Sequence, residues 1–137
     1  MKIAICGSMQ FTKEMIDTQS QLKSLGHEAI VTSFADGYIN LNQQELEQQV
    51  LKDKYENDAM KEYFNQIKDC DAILVLNYDK KGITNYIGGN TFLEIGYAHI
   101  LDKKIFLLNP IPSIPFYESE IVATNPIILN GDLSLIK

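Results

Sequence analysis

The chain has two cysteines and two histidines, and no apolar run near the roughly 20 residues that cross a bilayer. Cys6 and Cys70 form neither a disulfide framework nor a metal-ligand spacing. No metal or cofactor is expected. Positive charge is in deficit: 12 Lys and Arg against 18 Asp and Glu leave a formal net charge of −6. Such a balance disfavours a nucleic acid polymer as partner and offers no basic face to a membrane. The start, Met1 to Ser8, breaks at Gly7-Ser8 after a very short apolar run and reads as a first strand, not a signal peptide. With its free thiols, this suits a cytoplasmic protein.

What is present is an ordinary soluble composition, 45% apolar and 22% charged, over 137 residues. That length supports one domain with a core. The chain contains no repeat, low-complexity segment or linker. Lys2–Cys6 predicts a buried strand and residues 9–25 a helix stopped by Gly26. Residues 28–32 predict a second strand. Residues 33–42 read as a loop, with Asp36-Gly37-Tyr38 as a solvated turn. Residues 43–68 are helical, with a break near Glu56-Asn57-Asp58. Residues 72–76 are all aliphatic, as in a central parallel strand. A polar loop, 77–89, precedes a helix over 91–101 and strands at 104–108 and 126–129. Pro110, Pro112 and Pro115 exclude regular structure between the last two strands.

Alternating strands and helices predict an α/β fold, a flavodoxin-like three-layer sandwich with a five-stranded parallel sheet in the order 2-1-3-4-5. Ligands bind such sheets at the switch point, outside the carboxyl ends of strands 1 and 3. Two loops should meet there: 7–11 and 77–91. Cys6 and Cys70 should lie at opposite edges, about 16 Å apart, as buried thiols that cannot pair.

The second loop leads into Gly88-Gly89-Asn90-Thr91-Phe92-Leu93-Glu94-Ile95-Gly96-Tyr97-Ala98. Glu94 is expected in a first helical turn. It serves either as the partner in a capping box with Asn90 or Thr91, or as a carboxylate aimed at a ligand over the helix end. The pattern Thr91-x-x-Glu94-x-Gly96-x-Ala98, with the Ile5-Cys6-Gly7-Ser8-Met9 start and the run from Cys70 to Val75, resembles the nucleoside 2-deoxyribosyltransferase superfamily. That group includes the 2′-deoxynucleoside 5′-phosphate N-hydrolases. The resemblance implies a single domain of this kind over residues 1–137. It implies that Glu94 is the nucleophile that attacks C1′ as the base departs, and that the Gly7-Ser8 loop contacts a 5′-phosphate. Gly88-Gly89-x-Thr91-x-x-Glu94 is similar, more faintly, to the motif of phosphoribohydrolases that release cytokinin bases.

Two positions depart from the superfamily pattern. Asn90 stands where a glycine is usual. Gly88 stands where an acid or serine is common, so a proton donor is sought in Asp79 or Tyr86. The candidate site therefore comprises Glu94 and Asp79 as catalytic residues. Gly7, Ser8, Met9, Phe11, Asn77, Tyr78, Gly88, Gly89, Asn90 and Thr91 are its binding residues. The expected partner is a nucleoside or nucleotide, as substrate or, in a non-catalytic module, as ligand. Tyr97, Ile100 and Leu101 suggest a subunit contact, hence a homodimer or larger assembly. Tyr117, Glu118 and Glu120, in an irregular tail, are candidates to complete a neighbour's site.

Overall fold

A computed structural model describes all residues, 1–137. Five parallel strands stand in the order β2-β1-β3-β4-β5. They are β1 (Lys2–Cys6), β2 (Glu28–Ile30), β3 (Ala72–Val75), β4 (Lys104–Leu107) and β5 (Ile127–Ile128). The helices are α1 (Thr12–Ser24), α2 (Ala35–Tyr38), α3 (Gln43–Glu56), α4 (Ala59–Lys68), α5 (Gly89–Ile100) and α6 (Glu118–Ala123). Single 3-10 turns cover Met9–Phe11 and Leu133–Leu135.

Side chains alternate across the sheet because successive residues of a strand point to opposite faces. Ile3, Ile5, Ala72, Leu74 and Phe106 bury one face with Met15 and Leu22 of α1, and Leu129 and Ile136 close it. Ala4, Cys6, Ile73, Val75, Ile105 and Leu107 bury the other with Tyr63 and Ile67 of α4, Ile95 and Ala98 of α5, and Ile121 of α6. These two faces make the three-layer α/β sandwich. No helix is long and apolar enough to cross a membrane.

Local chemistry explains the boundaries. Gly26 takes φ +92° just after α1, a left-handed stop that a glycine adopts without strain. Asn42 and Glu45 form a reciprocal capping box at the start of α3. The break between α3 and α4 falls at Asn57-Asp58, where Asp58 takes φ +50°.

Two expectations need correction. Residues 35–38 are not a solvated turn. They form α2, because Ala35 and Tyr38 bury their side chains and the Tyr38 hydroxyl reaches Asp53 Oδ2 at 2.6 Å. The prolines do not exclude all regular structure before β5, because α6 forms after Pro115, where no proline obstructs it. Tyr117, just ahead of α6, donates to Ile87 O at 2.5 Å and stacks on Phe92 with ring centroids 4.6 Å apart. The tail is thus anchored on its own chain.

Cys6 pairs in register with Val75 at one end of β3, whereas Cys70 precedes the other end. Both thiols are buried and free.

Candidate active site

β1 and β3 are hydrogen-bonded neighbours, so the loops at their carboxyl ends share one crevice. Gly7 opens the first loop with φ +154°, and a Cβ there would press against Met15 Cε at 3.1 Å and Leu76 O at 3.2 Å. Only glycine lets the chain turn this close to β3. The next residues are held by Ser8, whose Oγ accepts from Gln10 N at 3.3 Å.

α5 begins at Gly89 with Gly88 as N-cap, and no side chain caps it. No capping box forms with Asn90 or Thr91, and Glu94 lies in the second turn rather than the first. The first intrahelical bond is Phe92 N to Gly88 O, 2.8 Å. The N–H groups of Gly89, Asn90 and Thr91 therefore have no partner within the helix. They stand beside a cavity of about 210 Å³ lined by Gly7, Ser8, Lys80, Tyr86, Gly88 and Thr91, among others. Lys80 Nζ donates to Ser8 Oγ at 2.7 Å across its mouth. A cation, a hydroxyl and a free helix N-terminus converge there, which is the chemistry of an anion site.

Gly88 has a spatial reason. A Cβ at this position would meet the Tyr86 ring and hydroxyl at 3.2 Å. Tyr86 thus fills the room where a side chain at position 88 would lie, and its phenol faces the anion cavity.

Deeper in, a smaller cavity of about 50 Å³ adjoins this one, sharing Met9, Val50, Lys54 and Asn90 with it. Glu94, Cys6 and Thr32 line it, and Phe34, Tyr38, Ala59 and Met60 form its apolar side. Glu94 is 7% exposed. Burial pushes its carboxyl from 4.5 up to about 8, against smaller opposing effects of the Cys6 thiol and the Lys54 ammonium. The helix end does not keep Glu94 ionised: desolvation outweighs a dipole that fades beyond the first turn.

Of the expected site residues, Gly7, Ser8, Met9, Gly88, Gly89, Asn90 and Thr91 come together around the anion cavity, with Glu94 next door. Four others do not line either cavity. Asp79 is exposed and spends Oδ1 on Asn85 N at 2.9 Å, holding its own loop. Phe11 packs edge-on against Tyr78 at 5.0 Å, and Tyr78 packs on the α1 side of the sheet. Asn77 is fully buried and clamps the chain after β4. It donates to Asn109 O at 2.9 Å and Pro110 O at 3.1 Å, and accepts from Asn109 N at 2.9 Å.

Removing that clamp strands buried polar backbone. Asn77→Ala is expected to cost about 2–4 kcal/mol of stability, read by denaturant unfolding.

Sequence reasoning missed Lys54, Thr32, Phe34 and Met60, and left Tyr38 in a solvated turn. A helical i, i+4 pair, Val50 and Lys54, lines both cavities; that spacing was visible, but its direction was not. Tyr38 is held by Asp53, a buried carboxylate. Burial pushes Asp53 up, but hydrogen bonds from Tyr38, Asn57 and Gln49 outweigh it and hold the carboxyl below its ordinary value.

The architecture is that of a flavodoxin-like α/β protein with a carboxylate at the switch point of its sheet. No sequence-family profile and no curated protein matches the chain. Among solved structures, it resembles a CMP N-glycosidase of Clostridium botulinum with a TM-score of 0.55 at 18% identity, over 95% of this chain and 90% of that one. It also matches a 2-deoxyribosyltransferase from Bacillus psychrosaccharolyticus, with a TM-score of 0.49 at 20% identity, over 80% of this chain and 73% of that one. The fold is shared with the first over nearly the whole of both chains.

Proposed function

We propose that this protein cleaves or exchanges the N-glycosidic bond of a nucleoside 5′-monophosphate, with Glu94 as nucleophile. One observation carries the reading: the anion cavity of Ser8, Lys80 and the uncapped α5 opens onto the cavity that holds Glu94. A 5′-phosphate in the first lays the sugar across the boundary and turns the base toward Phe34, Tyr38 and Met60. The likeness to a CMP N-glycosidase agrees with this chemistry.

In the reaction, a Glu94 carboxylate oxygen bonds to C1′ as the C1′–N bond breaks. The electron pair leaves with the base, which takes a proton from solvent. Water or a second base then attacks C1′ and releases the carboxylate, with water's proton returned to solvent. No step is assigned to Asp79, whose Oδ1 accepts from Asn85 N. The apolar groove of Phe64, Phe92, Leu93, Tyr97, Ile100 and Leu101 supports self-association through α5.

The test is a panel of nucleosides and their 5′-monophosphates, with free base followed by chromatography. Monophosphates are expected to react with a KM at least about tenfold below that of the nucleosides, since a charge-assisted phosphate contact contributes roughly 1.5–3 kcal/mol. Binding of monophosphates without base release from any would favour a non-catalytic nucleotide-binding module.

A further inference from the structure

The elements packed around Glu94 bring few charged or titratable groups to it. β1 contributes Cys6, α2 Tyr38, α3 Lys54 and α4 Tyr63. The Cys6 and Tyr63 acidities are both suppressed, by burial first and then by neighbouring acidic groups that include Glu94. Tyr63 donates to Ile5 O at 2.5 Å, and Tyr38 to Asp53. The remaining group is a cation. Lys54 lines the inner cavity and the anion cavity alike. Lys80 lines only the outer side and is engaged with Ser8.

Lys54 is aimed there by its helix. Val50 and Lys54 are one turn apart on α3 and line the same two cavities, so this face of α3 forms their shared wall. Asp53, one residue earlier, points away into the bonds with Tyr38, Gln49 and Asn57. Lys54 and Glu94 reach the inner cavity from different elements, α3 and α5. The cation and the carboxylate therefore line one small cavity of about 50 Å³, beside the larger one of about 210 Å³ that Lys54 also lines.

We propose that Lys54 is the positioning residue for Glu94, supplying across the cavity the positive charge beside which Glu94 reacts as a carboxylate. This rests on the N-glycosidic reading above. When a substrate fills the gap and expels water, the attraction between the two charges strengthens, because the dielectric between them falls. A bound 5′-phosphate in the outer cavity lies on the other side of the same ammonium. Lys54 thus prevents two negative groups, phosphate and Glu94, from facing each other unscreened.

The experiment compares Lys54→Met and Lys54→Arg with wild type in two measurements. The first, without substrate, follows the Glu94 carboxyl by carbon-13 NMR of protein labelled at glutamate side chains. Its titration is expected to move up by about one pH unit in Lys54→Met and to stay near wild type in Lys54→Arg. The second is base release from a 5′-monophosphate across pH. Lys54→Met should lose about 10²-fold in kcat, with the acid limb of its profile shifted to higher pH, and Lys54→Arg should recover most of it. An unmoved titration, or an unchanged kcat and pH profile in Lys54→Met, would overturn the proposal. Thermal unfolding of both variants separates this from misfolding, and an Lys54→Met that fails to fold is replaced by Lys54→Gln in the same two measurements. Absence of base release in wild type would instead sink the N-glycosidic reading. The titration would still decide whether Lys54 acts on Glu94.

Discussion

Glu94→Gln is expected to abolish base release, by about 10⁴-fold or more, while the protein stays folded. The amide has nearly the shape of the acid, so the packing of α5 against β1 and β3 barely changes. Its chemistry is different, because an amide is a poor nucleophile and cannot form the glycosyl ester. Glu94 caps no helix end, since α5 starts five residues earlier and without a side-chain cap. A loss of activity therefore cannot be ascribed to a lost cap. The comparison is base-release rate at matched thermal stability. Equal rates in wild type and Glu94→Gln would exclude Glu94 as nucleophile.

The same substitution should reverse a pH effect on stability. In the folded protein the Glu94 carboxyl titrates near 8, against 4.5 when unperturbed. Below 4.5 both the folded and unfolded chains carry this proton, and the group has no effect. Between 4.5 and about 8 the unfolded chain ionises and the folded chain does not, so stability falls as pH rises. Each unit of that interval is worth about 1.4 kcal/mol, making the whole cost several kcal/mol above pH 8. Glu94→Gln removes the group. Its stability advantage over wild type should be near zero at pH 4.5 and grow to several kcal/mol by pH 8. Asp53, whose carboxyl is held low, acts in the opposite sense as pH falls through the acid range below 3.8, outside this window. Urea unfolding of both proteins between pH 5 and 9 reads the difference directly. Parallel curves would mean that Glu94 is solvated and ordinary.

The stability cost and the proposed chemistry share a cause. A carboxylate buried to this degree is a reactive group that the fold itself disfavours. Functional sites are where such conflicts between stability and activity collect.

Much of the fold was legible because its signals are local. The aliphatic run of β3, the alternation in β1, and the helical stripes of α1 and α4 each report burial through their period. Alternating strands and helices then leave few topologies. The order 2-1-3-4-5 alone brings Ser8 and Gly88–Thr91 to one crevice. Errors came where a residue's partner is distant in sequence. Asn77 sits at the end of a strand, where ligands bind, yet its amide is consumed by Asn109 and Pro110, 32 and 33 residues away. Phe11 and Tyr78 consume each other. Tyr38 is drawn into a helix by Asp53, which no local pattern signals.

The sequence by itself determined the layer order, the glycine stop at 26, and the carboxylate at the mouth of the sheet. Each follows from short-range sterics or from hydrophobic period, which act among neighbours in the chain. Only the tertiary structure decided the state of Glu94, the role of Tyr86 in front of Gly88, and the arrival of Lys54 from α3. Desolvation and charge pairing depend on which surfaces meet in space. The strand register and the angle of α3 over the crevice set those meetings, and neither can be read from the residues one at a time.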